Sequence, residues 1–118
     1  MSRIPEFVRR TDEALATSHP GARLVNFGHL GDGNLHYNVQ CPAGEDATAF
    51  LRSQEEAINR IVFDAVGDCG GSFSAEHGIG ALKRDELQHR KSPVALGMMR
   101  SIKEALDPQG VFNPGRLL

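Results

Sequence analysis

Two histidines, His29 and His36, flank the run Gly31-Asp32-Gly33-Asn34. An Asp-Gly pair favours a two-residue type I′ turn, because both central residues need φ > 0. That turn predicts a hairpin in which Gly31 faces Asn34, Leu30 faces Leu35 and His29 faces His36. Directly opposed residues have Cβ atoms about 4.5–5.5 Å apart. Two imidazoles held that way can converge on one cation, at about 2.0–2.1 Å per Zn–N bond. Taken alone, a His-x6-His pair is more often a pair of polar residues on a solvated sheet.

A second cluster adds to the first. Ser72-Phe73-Ser74-Ala75-Glu76-His77-Gly78-Ile79-Gly80 puts Glu76 and His77 at the end of a predicted strand, with glycines after them for a sharp turn. Two histidines and one carboxylate (His29, His36, Glu76) form a three-donor set that leaves metal positions open for substrate. His77 is then a spare imidazole beside the metal, and the ordinary imidazole pKa suits a general base. The competing reading is a surface turn in which Glu76 and His77 meet Lys83 and Arg84. Adjacent strand residues point to opposite faces, so Glu76 and His77 share a site only if the strand ends there.

The elements that must position these groups are legible in outline. After Pro5, the residues Phe7, Val8, Thr11, Ala14 and Leu15 recur at helical spacing until Pro20-Gly21. Residues 22–26 and 35–41 are the predicted hairpin strands. Alternation places Leu24, Leu30, Leu35, Tyr37 and Val39 on one face. It places Val25, Phe27, His29, Asn34, His36, Asn38 and Gln40 on the other. Residues 46–66 read as a long helix with the stripe Phe50, Ile58, Ile61, Val62 and Ala65, ended by Gly67 and Gly70-Gly71. Residues 72–75 are a candidate third strand. Ser92-Pro93 opens a helix that Val94, Met98, Ile102 and Ala105 continue, with Met98-Met99 as helix packing, and Asp107-Pro108 breaks it. His19 and His89 are placed in polar loops. The order αββαβα gives an α+β fold, an antiparallel sheet with helices on one face.

Composition narrows the class. The chain has 118 residues, 40% apolar and 24% charged, with a net charge of −2, which suits a single globular domain or part of one. No basic stripe supports nucleic-acid binding, and no apolar run reaches the roughly 18 residues of a transmembrane helix. Cys41 and Cys69 are the two cysteines and form no Cys-x-x-Cys pair, which argues against a disulfide scaffold and suits a reducing, cytoplasmic setting.

Three blocks, in order, carry a resemblance: residues 28–38 (Gly-His-Leu-Gly-Asp-Gly-Asn-Leu-His-Tyr-Asn), residues 74–80 (Ser-Ala-Glu-His-Gly-Ile-Gly) and residues 112–116 (Phe-Asn-Pro-Gly-Arg). Together they closely resemble the C-terminal domain of the FAD-linked oxidases, the family of D-lactate dehydrogenase, the glycolate oxidase flavin subunit and D-2-hydroxyglutarate dehydrogenase. The resemblance implies a ferredoxin-like cap domain that covers a separate FAD-binding domain. It implies a divalent metal, Zn or Mn, on His29, His36 and Glu76, with His77 as proton acceptor. It implies a substrate contact at Asn38 and places Asn113 near the flavin. Lys83 can meet a substrate carboxylate, although a solvated helix-start lysine is the commoner use.

No phosphate-cradling glycine segment precedes the first block. The chain is therefore expected to be a single partial domain over residues 1–118, the C-terminal portion of an FAD-dependent 2-hydroxy acid dehydrogenase, inactive alone and lacking the FAD-binding domain. Its expected partners are a small 2-hydroxy acid, an FAD-binding domain or subunit and further copies of itself. Its expected place is cytoplasmic or peripheral to the inner face of the membrane. Two other classes remain: a non-catalytic interaction module that self-associates or pairs with an FAD-binding subunit, and a metal-dependent hydrolase using His29, His36 and Glu76.

Overall fold

The computed structural model describes residues 3–74 and 76–118, in the order α1 (Ile4–Ser18), β1 (Arg23–Phe27), β2 (His36–Gln40), α2 (Ala47–Asp68), α3 (Arg84–Arg90) and α4 (Pro93–Leu106). This is the expected α+β class. The chain divides into two compact units, Met1–Ala75 and Glu76–Leu118.

In the first unit, Pro5 lies in the first turn of α1, where its missing N–H costs nothing. Phe7, Thr11 and Leu15 recur every four residues and are the buried side of that helix. The buried Thr11 hydroxyl donates to the Phe7 carbonyl at 2.7 Å, so no polar group is stranded in the core. Asp46 caps α2 by accepting from the Ala49 amide at 2.7 Å. Ile58 is the buried residue of α2, while Phe50, Ile61, Val62 and Ala65 are half-buried along the expected stripe. Arg10 ties the two helices through an ion pair to Asp68 at 3.0 Å.

β1 and β2 pair antiparallel, with Leu24 opposite Val39, Asn26 opposite Tyr37 and Phe27 opposite His36. The expected sorting of faces holds along both strands except at His36, which is expected on the open face and is half-buried. Leu24, Tyr37 and Val39 are half-buried, whereas Val25, Phe27, Asn38 and Gln40 are exposed. An isolated two-stranded sheet is marginal in water, and here α1 supports the inner face. Tyr37 packs edge-on against Phe7, with ring centroids 5.6 Å apart at 73°. Its hydroxyl also donates to Asp12 Oδ1 at 2.6 Å.

The turn differs from expectation. The strands are joined by residues 28–35, and a single 3₁₀ turn, Leu30–Asp32, occupies the middle. The His29 carbonyl accepts from the Asp32 and Asn34 amides, and Gly33 (φ 74°) closes the turn through its own N–H to the Leu30 carbonyl. The glycine of Asp-Gly therefore supplies the left-handed residue of a helical C-cap rather than half of a type I′ turn. The opposed pairs Gly31–Asn34, Leu30–Leu35 and His29–His36 are not formed, and Leu30 is exposed.

Residues 72–74 do not form the expected third strand, and Ala75 lies outside the described residues. Ser72 and Ser74 instead make a local turn, with the Ser74 amide donating to the Ser72 hydroxyl at 3.2 Å. Such side-chain bonds compete with a ladder for the same backbone groups.

In the second unit, Leu87 and Leu96 are the buried apolar residues. His89 lies on α3, not in a loop, with its Nδ1 2.7 Å from the Asp85 carbonyl. His19 is the residue that caps the end of α1. α4 begins as expected, with the Ser92 hydroxyl accepting from the Ala95 amide at 3.2 Å. Of the expected packing pair, Met98 is 62% exposed, and the apolar row it belongs to is open as well, with Val94 and Ile102 74% and 57% exposed and Ala105 exposed too. Leu96, on a different side of the helix, takes the core position, and Met99 is half-buried. Helical periodicity identifies an apolar face but not what that face packs against.

Candidate functional site

The chemistry-bearing residues of the first unit gather at one end of the hairpin. Phe27 is the last residue of β1 and His36 the first of β2. Their rings stack with centroids 5.1 Å apart and planes 9° from parallel. His29 follows two residues after Phe27, in the exposed loop. Both histidines thus lie at the loop end of the sheet, although they are not cross-strand neighbours.

Gly28 makes this arrangement possible. A Cβ built there would lie 2.5 Å from the Asn34 carbonyl oxygen and 2.9 Å from Leu35 Cα. Only glycine lets the two ends of the loop approach so closely. Two residues along β2 from His36, Asn38 lies on the same open face. Its amide nitrogen donates across the strands to the Val25 carbonyl at 3.0 Å, and its side-chain oxygen, always an acceptor, takes no part in that bond.

Behind this face, the Tyr37 hydroxyl is held well above its ordinary pKa. Burial contributes most, then the hydrogen bond and the charge of Asp12, while the Asn26 side chain opposes them. The phenol therefore stays protonated and serves as a fixed donor between sheet and helix.

In the second unit, Glu76 and His77 are exposed residues in bends, and Lys83 is the half-buried N-cap residue of α3. Among the described residues, no three His, Cys, Asp or Glu side chains gather into a group able to hold a metal ion. Histidine and carboxylate side chains are each donor types that a divalent cation of borderline hardness accepts.

The C-terminal tail is built more firmly than its composition suggests. Asp107 is nearly buried and accepts from the Val111 amide at 2.8 Å, the Phe112 amide at 2.9 Å and the Lys103 ammonium. Lys103 also donates to the Phe112 carbonyl at 2.6 Å, and Arg84 donates to the Gly115 carbonyl at 2.9 Å. Lys103 before all, helped by the two backbone amides, holds the Asp107 carboxyl below its ordinary pKa. Between these ties stands Asn113, exposed and left-handed (φ 47°), the single non-glycine residue of positive φ among those described. Asparagine tolerates that conformation better than other side chains. Asp107 was legible in the sequence only as a helix breaker, yet Asp before Pro is also a turn-initiation signal.

Comparison with known proteins agrees with these blocks. The family model described as "FAD linked oxidases, C-terminal domain" matches residues 1–117. D-2-hydroxyglutarate dehydrogenase of Stutzerimonas stutzeri (strain A1501) is 38% identical over 117 residues, covering 99% of this chain and 25% of that protein. The mitochondrial D-2-hydroxyglutarate dehydrogenase of Bos taurus is 44% identical over 100 residues, covering 84% of this chain and 17% of that protein. The chain thus spans a quarter or less of the length of these relatives. No helix among the described residues is long and apolar enough to cross a membrane. On the strength of a match that runs from residue 1 to residue 117, the chain belongs to the C-terminal domain family of the FAD-linked oxidases.

Proposed function

We propose that this chain is the substrate- and metal-binding part of an FAD-dependent D-2-hydroxy acid dehydrogenase, most closely of the D-2-hydroxyglutarate type, and that it does not turn over alone. The observation that carries this reading is the family match over residues 1–117, joined to 38% identity with a D-2-hydroxyglutarate dehydrogenase over 99% of the chain.

In this reading His29, His36 and Glu76 are the ligands of a divalent ion, Zn or Mn. When bound, the ion supplies Lewis acidity at the substrate hydroxyl, and FAD, carried by another domain or subunit, supplies the two-electron acceptor. Asn38 accepts a hydrogen bond from the substrate through its carbonyl oxygen, and Lys83 meets a substrate carboxylate. His77 takes the hydroxyl proton onto an imidazole nitrogen as the C2–H bond breaks. Asn113 contacts the flavin. The free thiols Cys41 and Cys69 suit a reducing, cytoplasmic compartment.

The test has two parts. Metal content after equilibration with Zn or Mn is compared between the wild type and His29→Ala, His36→Ala and Glu76→Gln. Loss in each variant is expected, and equal content throughout removes the ligand assignment. Dye-linked oxidation of D-2-hydroxyglutarate, D-lactate and glycolate is then assayed with and without a flavin-bearing polypeptide. Turnover by the chain alone overturns the claim of inactivity, and none in either arm overturns the dehydrogenase reading.

A second reading, as an association module, is favoured by one observation: Val94, Met98, Ile102 and Leu106 form an exposed row on α4. It predicts self-association or a stable complex with a flavin-bearing subunit, read by light scattering after size exclusion. A strictly monomeric chain that captures no such subunit removes it.

A further inference from the structure

We infer that Asp107 and Lys103 are positioning residues that set the left-handed backbone at Asn113 and so aim its amide at the flavin. The inference rests on the proposed role of Asn113. Its physical basis is the bonding of the tail itself.

The segment 107–116 is two proline turns in succession. In the first, Pro108 follows Asp107 and the Gly110 amide donates to the Asp107 carbonyl at 3.0 Å. In the second, Pro114 follows Asn113 and the Arg116 amide donates to the Asn113 carbonyl at 3.2 Å. Proline at the second position presets φ in each turn, and Gly115 (φ 66°) takes the positive φ that follows. Asn113 is the hinge between them. A non-glycine residue in a left-handed conformation persists only where its surroundings over-determine it.

The surroundings here are specific. One carboxylate, Asp107, gathers the two amides that precede the hinge residue, and one ammonium, Lys103, closes on that carboxylate and on the Phe112 carbonyl. The Val111 and Phe112 amides and the Phe112 carbonyl are thereby held by Asp107 and Lys103 at the end of α4. On the far side, Arg84 fixes the Gly115 carbonyl. Asn113 itself stays exposed. A tail that merely ended the fold would need none of these charged ties. A tail that presents one amide to a planar cofactor needs its backbone immobilised first.

The experiment has two arms on the same variants, Asp107→Asn and Lys103→Met, each checked for folding by circular dichroism. The first arm needs no flavin. Amide exchange at Val111, Phe112 and Arg116 is followed by NMR in the full chain. About tenfold faster exchange is expected at these amides, with the middle of α4 unchanged. Unchanged exchange at 111 and 112 overturns the inference.

The second arm is a double-mutant cycle with Asn113→Ala in the complex with the flavin-bearing polypeptide, read as the visible absorption spectrum and midpoint potential of the bound flavin. Asp107→Asn is expected to shift both in the direction of Asn113→Ala, and the double variant to shift them no further. Additive shifts, or a silent Asp107→Asn beside an effective Asn113→Ala, overturn the inference alone. A silent Asn113→Ala instead removes the proposed flavin contact on which it rests.

Discussion

The imidazole of His36 lies flat on the ring of Phe27, with centroids 5.1 Å apart and planes 9° from parallel. The two residues are cross-strand partners at the end of the sheet where the connecting loop begins. Stacking fixes the plane of the His36 ring, and the proposed role as a metal ligand would need that plane set before the ion arrives. Phe27→Ala is expected to cost about 0.5 kcal/mol in urea unfolding, the low end for an aromatic pair because Phe27 is 59% exposed. The same variant is expected to weaken Zn binding severalfold, measured by competition with a chromogenic chelator. Zn affinity equal to that of the wild type would mean that the stack does not orient the ligand.

Tyr37 is the single tyrosine of a chain without tryptophan, so its ionisation can be read directly by absorbance. Burial and Asp12 raise its pKa, so the proton is bound more tightly in the folded than in the unfolded chain. The linked stability is present below the free-tyrosine value of about 10 and is lost as pH rises above it. Tyrosinate absorbance is therefore expected to appear only above that pH and together with loss of circular dichroism. Tyr37→Phe is expected to cost about 1–2 kcal/mol near neutrality, since it leaves Asp12 without this donor. Titration of Tyr37 at about pH 10 in a still-folded chain would contradict the buried bond.

Gly28→Ala is expected to destabilise the first unit by about 1–3 kcal/mol, because the new methyl would strike backbone rather than a movable side chain. Chemical denaturation measures it. Gly31→Ala, where a Cβ would meet nothing within 4 Å, is the control and is expected to be nearly neutral. Equal stability of the two variants would show that the loop relaxes at no cost.

The Asp107 clamp has a pH signature of the opposite sense to Tyr37. Its carboxyl is held below the ordinary value of 3.8, so the unfolded chain binds the proton more readily than the folded one. The contribution is complete above that value and is lost as pH falls through the lower folded value. Corrected amide exchange at Val111 and Phe112 is expected to be flat from pH 8 to about 5 and to rise below about 4. A rise between pH 7 and 5 would place control of the tail elsewhere.

Local chemistry by itself determined much of this chain. Pro5, Asp46 and Ser92 announce the helix starts, and the alternation from Leu24 to Gln40 sorts the sheet faces. These signals act within a few residues, where capping and side-chain period are decisive. The three blocks of His, Glu and Asn residues also identified the family. Tertiary structure alone decided the rest. Asp32-Gly33 is compatible with a hairpin turn and with a 3₁₀ cap, and the close approach of Gly28 to Asn34 and Leu35 goes with the second, putting Phe27 opposite His36. The stripe of α4 is equally apolar whether covered or open, and only the burial of Leu96 shows which side meets the core. Asp107 reads as a helix breaker until two amides and an ammonium are seen to converge on it. In each case one local pattern is compatible with two outcomes, and contacts between residues distant along the helix or loop select one.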